Sequence, residues 1–204
     1  CWTCRKIPLE KARHSSGAPP AAILPEARSP VTAPHELHQF VVVDLETTGL
    51  SPRTCQIIEV GAVRVDMATG ARASFSSFVR CDAALPYRIT RLTGISSDML
   101  EYAPDGAQVM ADLAYFVRGL PIVAYNAGFD MSFLRAAAPE VFEAHPVVCA
   151  LQAARRYLRL PDYKLATVAR HFGVDQAAAH RALDDCLTTL SIFEGIRAIS
   201  GARG

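Results

Sequence analysis

The rhythm of apolar and polar positions changes partway along the chain. Phe40-Val41-Val42-Val43 is an unbroken aromatic and β-branched run that ends at Asp44 and Leu45, the pattern of a central strand covered on both faces. A turn at residues 49–52 leads to a second predicted strand at 57–66, and a third follows at 72–79. Sequential strands joined by short turns predict an antiparallel meander. The chain then turns helical. Pro104 suits the first turn of a helix, and Val109, Leu113, Phe116 and Val117 recur at i, i+4, i+7 and i+8, the period of an amphipathic helix. Short apolar runs at 122–125 and 147–149 predict two more strands, and helices are predicted at 127–137, 150–159, 164–172 and 181–199. Strands first, then strands alternating with helices, predict an α/β fold with a mixed five-stranded sheet flanked by helices. Residues 1–38 follow neither rhythm. They hold six of the thirteen prolines and read as a Pro/Ala-rich linker, or an arm lying on a single domain at 39–204.

Composition narrows the class. Half of the 204 residues are hydrophobic and the net charge is +1, so the core is ordinary and the whole-molecule field says nothing about nucleic acid. The cations are 18 Arg against 3 Lys. Arg suits bidentate phosphate contacts, although a GC-rich genome explains the same bias together with the many alanines. Cysteines at 1, 4, 55, 81, 149 and 186 are too irregular for a secreted disulfide framework. Cys55, Cys81, Cys149 and Cys186 read as free thiols in a reducing cytoplasm. No apolar run is long enough to span a membrane, and the N-terminus lacks the apolar core of a signal peptide. A chain that begins with Cys reads as a fragment or a processed product. Cys1 and Cys4 could form half a zinc site, but no second such pair appears, and His35 and His38 fit no common zinc-finger spacing.

Three blocks carry candidate chemistry. Asp44 and Glu46 are two apart on the first strand and so project from one face. Two unpaired anions side by side are costly, and a hard divalent cation such as Mg²⁺ or Mn²⁺ resolves the conflict. The plain alternative is a solvated strand end. Asp130 shares a helical face with Phe133, Leu134 and Ala137, which places an acid on an apolar stripe. Its alternative is a helix-start aspartate favoured by the helix dipole. Asp185 aligns with Ala182, Thr189, Ile192 and Ile196 on the last helix. His180 is five residues earlier, about 140° around an ideal helix, so it is expected at the loop–helix junction, reaching the site from the side. Asp184 lies off the stripe and is assigned to solvent; Glu59 is assigned to structure.

The combination resembles the DnaQ-like exonucleases, in particular their DEDDh branch, over residues 39–198. The first block is Val43-Asp44-Leu45-Glu46-Thr47-Thr48-Gly49-Leu50, the second Tyr125-Asn126-Ala127-Gly128-Phe129-Asp130, and the third His180-Arg181-Ala182-Leu183-Asp184-Asp185. Ile57-Ile58-Glu59-Val60-Gly61-Ala62-Val63, Leu92-Thr93-Gly94-Ile95 and Tyr163-Lys164-Leu165 fit as well. A Tyr one residue closer to the last Asp would mark a sister branch. One departure is Cys149-Ala150, where family members often carry Asp-Thr or Cys-Thr.

The resemblance implies a ribonuclease H-like fold and a 3′→5′ exonuclease, similar to the proofreading exonuclease domain of the DNA polymerase III epsilon subunit. It implies two divalent ions, Mg²⁺ or Mn²⁺, held by Asp44, Glu46, Asp130 and Asp185. Such a pair stabilises the attacking and leaving oxygens of an in-line displacement at phosphorus. His180 would take a proton from the attacking water, as an imidazole with an ordinary pKa of roughly 6.5 can near neutral pH. Thr47, Leu50, Asn126 and Phe129 would shape the pocket for the terminal nucleotide. The expected substrate is single-stranded or 3′-terminal nucleic acid, with DNA in a proofreading or repair role placed first. Trimming of RNA or oligoribonucleotide ends, and a non-catalytic nucleic-acid-binding module, are the alternatives. A DNA polymerase is a candidate partner. Arg155, Arg156, Arg159, Lys164, Arg170 and Arg181, with only Asp162 and Asp175 among them, form either a phosphate track or solvated helix faces.

Overall fold

The computed structural model describes residues 33–175 and 180–202. The Cys1/Cys4 reading falls outside them. Five strands form one sheet in the order β3-β2-β1-β4-β5. β1 (Gln39–Thr47) is the centre, antiparallel to β2 (Ile57–Asp66) and parallel to β4 (Ile122–Ala124). β3 (Arg72–Phe78) lies antiparallel on β2 and β5 (Val147–Cys149) parallel on β4, closing the two edges. The mixed five-stranded sheet expected from the sequence is present.

β1 is apolar on both faces because both are covered. Val41, Val43 and Leu45 enter one core with α3 (Gly106–Val117), α4 (Ala127–Ala137) and the short α5 (Pro139–Phe142). Phe40 and Val42 enter the opposite core, where Phe193 meets Phe40 edge-on at 5.3 Å; such a pair contributes about 0.5–1.5 kcal/mol beyond its burial. This second layer is the long α8 (Ala182–Gly201), backed by α6 (Ala150–Tyr157) and α7 (Leu165–His171).

Several local features differ from the pattern reading. The helix expected from Pro104 starts at Gly106, because the Asp105 side chain accepts the Gln108 amide hydrogen bond at 3.0 Å and caps it. Ala137 is exposed and Ala138 buried instead, since α4 ends there. Two short helices, α1 (Tyr87–Thr93) and α2 (Ser97–Glu101), fill the stretch holding Leu92-Thr93-Gly94-Ile95. Gly94 ends α1 in a left-handed conformation, φ 73°, which glycine adopts at little cost. A 3-10 turn at Pro34–Glu36 packs on the end of α8, where the Arg197 guanidinium donates to the Pro34 and Leu37 carbonyls and His35 meets Ser200. Among the described residues, no helix is long and apolar enough to cross a membrane.

Candidate active site

The acids meet where β1 runs out of the sheet. Asp44 and Glu46 share a face, as the strand period dictates, and that face looks towards the start of α8. The approach of α8 depends on β2. Opposite Asp44 stands Gly61, and a Cβ there would lie 2.4 Å from the Ala182 carbonyl carbon. Only a glycine lets the first turn of α8 come this near. Glu59, opposite Glu46, then ties the turn down. Its carboxylate accepts from Arg181 Nη2 at 2.8 Å and from the Ala182 amide at 3.1 Å. The assignment of Glu59 to structure fits this geometry.

The helix so fixed delivers two groups. Asp185 sits in the first turn of α8, buried on the stripe of Ala182, Thr189, Ile192 and Ile196. His180 lies just before the helix, exposed, and its amide donates to Asp185 Oδ2 at 3.2 Å. Its φ of +69° is the left-handed region, uncommon for a residue with a side chain and a marker of a conformation imposed by its surroundings. Glu46, His180 and Asp185 each present one ligand-type atom within 4.8 Å of the others. His180 thus stands as near to Glu46 and Asp185 as a fellow ligand would.

Asp44 and Asp130 join through their charge. Asp130 is buried in the first turn of α4, directly after β4. Burial pushes Asp44 well above the usual carboxylate range, and Asp130, Asp185, Glu46 and Glu59 push in the same direction. Burial raises Asp130 to about 7, although its own and Leu45's backbone N–H groups favour the charged form. Glu46 also rises to about 7, by burial first and then by Asp185, Glu59 and Asp130, with Arg181 pulling it back. Asp185 is raised by burial and held back by the His180 amide. Four carboxylates therefore resist ionising together. The nearby guanidinium, Arg181, is engaged by Glu59, and Asp185 Oδ1 is buried with no hydrogen-bond partner among the described residues. Hard oxygen donors, crowded and short of positive charge, fit divalent cations.

The expected substrate residues divide. Thr47 is buried and its hydroxyl donates to the Gly49 carbonyl at 2.6 Å, shaping the turn. That turn holds Leu50 out, 78% exposed. Asn126 is exposed at the start of α4. Phe129 is half-buried and packs on Phe133 at 5.1 Å, so part of its ring belongs to the core. Asp184 is exposed, as expected. Arg181, counted in the basic run, is withdrawn into the Glu59 pair. The sequence held one signal for that pairing, an acid inside the apolar strand Ile57–Asp66, but the partner is 122 residues away.

Comparison with known proteins agrees with this geometry. The family model RNase_T, described as an exonuclease, matches residues 41–193. The chain is 36% identical over 169 residues to the DNA polymerase III subunit epsilon of Treponema pallidum, covering 80% of this chain and 78% of that one. It is 37% identical over 158 residues to the PolC-type DNA polymerase III of Caldanaerobacter subterraneus, spanning 76% of this chain but 11% of that much longer protein. Among solved structures, the nuclease domain of 3′hExo, described as a DEDDh family member bound to rAMP, superposes with a TM-score of 0.69 at 18% identity, covering 81% of this chain and 94% of that one. E. coli exonuclease I in complex with a dT13 oligonucleotide gives the same TM-score and identity, covering 81% of this chain and 42% of its own. These two likenesses establish the shared fold. With the family model matched over most of this chain and the epsilon relative covered to 78% of its length, the chain belongs to the RNase_T exonuclease family, as a 3′→5′ exonuclease domain.

Proposed function

We propose that this domain removes nucleotides from the 3′ ends of DNA, in proofreading or repair, and releases nucleoside 5′-monophosphates with the help of two divalent ions, Mg²⁺ or Mn²⁺. The observation that carries the reading is the convergence of Asp44, Glu46, Asp130 and Asp185, from β1, α4 and α8, into one group whose proton affinity is raised by crowding and burial. These four carboxylates would hold the ions. Bound there, the ions would supply the positive charge that stabilises the attacking and leaving oxygens at phosphorus.

The protein's own groups do the rest. Asp44, pressed by burial and by the other acids, would be one of the carboxylates that hold the ions. Asp185 keeps Oδ2 on the His180 amide, while its Oδ1, without a partner among the described residues, would face a ligand. His180, exposed at the rim, takes the proton from the attacking water. The Thr47–Gly49 hydrogen bond holds the turn from which Leu50 is exposed; Thr47 and Leu50 would line the pocket for the terminal nucleotide, with Asn126 and the open side of Phe129 shaping the site.

DNA is favoured by the epsilon and PolC-type relatives, both DNA polymerase III proteins by name. The same relatives suggest association with a DNA polymerase. Among the described residues, Cys55, Cys81, Cys149 and Cys186 are free thiols, which fits a reducing, cytoplasmic setting. We assign residues 39–204 to catalysis and residues 1–38 to an arm or linker. A matched pair of 5′-labelled single strands, one DNA and one RNA, tests the reading with Mg²⁺ or Mn²⁺ present. The expected result is a ladder shortening from the 3′ end, faster on DNA and lost in Asp44→Ala. Faster shortening of RNA would move the role to RNA end trimming, and no shortening by folded, metal-loaded protein would favour a binding module.

A further inference from the structure

We propose that the exposed faces of α6 and α7 form a track for the phosphates of the single strand upstream of the scissile bond, a reading that rests on the exonuclease function above. On α6, Gln152, Arg155 and Arg156 are exposed at i, i+3 and i+4, while Ala150, Ala153 and Ala154 are buried on the other side; Arg159, also exposed, follows the helix. Two guanidiniums thus stand on the exposed side of α6, and a third follows just past its extended C-cap, Leu158. Lys164 and Arg170, also exposed, add to them from the ends of α7.

Little in the protein offsets this charge. No ion pair among the described residues involves any of the five cations. Arg155 and Arg156 lie over the Tyr163 and Tyr157 rings, at 5.9 and 5.6 Å, contacts that orient a guanidinium without neutralising it. Of the two acids in the stretch, Asp162 is engaged locally. Hydrogen bonds from Thr167 and the Lys164 amide hold its carboxyl below the usual range, and the Lys164 and Arg170 charges add to this.

The track is anchored to the site. The Tyr125 hydroxyl donates to the Tyr163 carbonyl at 2.6 Å, and the Leu151 amide donates to the Tyr125 carbonyl at 2.9 Å. Tyr125 immediately precedes Asn126 and the helix that carries Asp130. Arg155, Arg156 and Arg159, in no ion pair among the described residues, suit a polyanion that continues out of the site. Phosphate contacts of this kind carry no base preference, as a processing exonuclease requires.

The test is binding of a fluorescein-labelled dT20 strand in EDTA, measured by anisotropy across salt concentration. Each lost phosphate contact on a single strand removes about 0.7 from the slope of log K against log salt. The triple variant Arg155→Gln, Arg156→Gln, Arg159→Gln is expected to lower the slope by about 2 and to weaken binding roughly tenfold to a hundredfold near 0.1 M salt. Its loss in kcat/KM should grow at least tenfold from dT2 to dT20. Should the triple variant not fold, Lys164→Gln with Arg170→Gln carries the same test, with a slope change of about 1.4. Arg118→Gln, near the start of β1, is the control and should leave the slope unchanged. An unchanged slope in the variants, an equal loss on dT2 and dT20, or poly-glutamate competing as well as dT20 would overturn the track. A wild type that binds dT20 through these residues yet cleaves neither strand would overturn the exonuclease reading and leave the track standing.

Discussion

Glu46 and Glu59 stand directly opposite each other on β1 and β2, and they live in different electrostatic worlds. Glu59 is 2% exposed, held by the Arg181 guanidinium and the Ala182 amide. Its charge is answered inside the protein, and the answer fixes where α8 begins. Glu46, one strand over, faces Asp185 and His180 and is pushed up to about 7. The difference separates an acid that builds the fold from acids that wait for a cation. Burial alone does not make the distinction, since Asp130 and Asp185 are also buried. What distinguishes Glu59 is the guanidinium of Arg181 paired with it, whereas Asp130 and Asp185 have backbone donors alone.

Substitutions on the two sides should therefore move different quantities. The largest effect is expected for Asp44→Asn, a loss of roughly 10³-fold or more in kcat, with the metal-free protein as stable as wild type or more so, because one crowded charge is gone. Steady-state rates and urea unfolding in EDTA check both halves. His180→Ala should cost about 10²-fold or more in rate while leaving the fold intact; an undiminished rate would remove it from the proton path. Glu59→Gln should do the reverse of Asp44→Asn. Losing the charged acceptor should cost about 1–3 kcal/mol of stability, equally with and without metal, and any fall in rate should follow the loss of folded protein.

A smaller effect concerns pH. Asp130 and Glu46 have folded values of about 7, above the 3.8 and 4.5 ordinary for these side chains. The native state then binds more protons than the unfolded chain between about pH 4 and 7, so metal-free stability should fall as pH rises through that window. Urea midpoints in EDTA should drop from pH 5 to pH 8, and Mg²⁺ should remove most of the drop. A midpoint that rises with pH in EDTA would contradict the crowding of these acids. The smallest effect is expected for Asp184→Asn, within about 0.5 kcal/mol in stability, with activity close to wild type.

Much of this was legible along the chain because it is local. The run Phe40–Val43 has no polar position to offer solvent, so it marked the central strand, and strand parity alone put Asp44 and Glu46 together. Asp185 was legible from its helical stripe, and the place of His180 from its being out of phase with that stripe. What could not be read lies in long-range or very short-range geometry. Arg181 looked like one more cation in a basic run, and only the folded chain brings it to Glu59. Gly61 stood in the run at residues 57–63 with no local signal of its role, whereas its missing Cβ admits the backbone of α8. α1, α2 and α5 are too short for a helical period to emerge from their sequences. The left-handed backbone at His180 has no sequence signature at all.

The claim that joins these observations is that the acids around Glu46 are left unanswered so that metal ions can answer them. Calorimetric titration of the metal-stripped protein with Mn²⁺ at neutral pH tests it most directly. The account predicts binding of two ions per chain, accompanied by proton release, and weakened by Asp44→Asn but not by Asp184→Asn. Absence of binding by folded protein, or binding that is indifferent to Asp44→Asn, would contradict it.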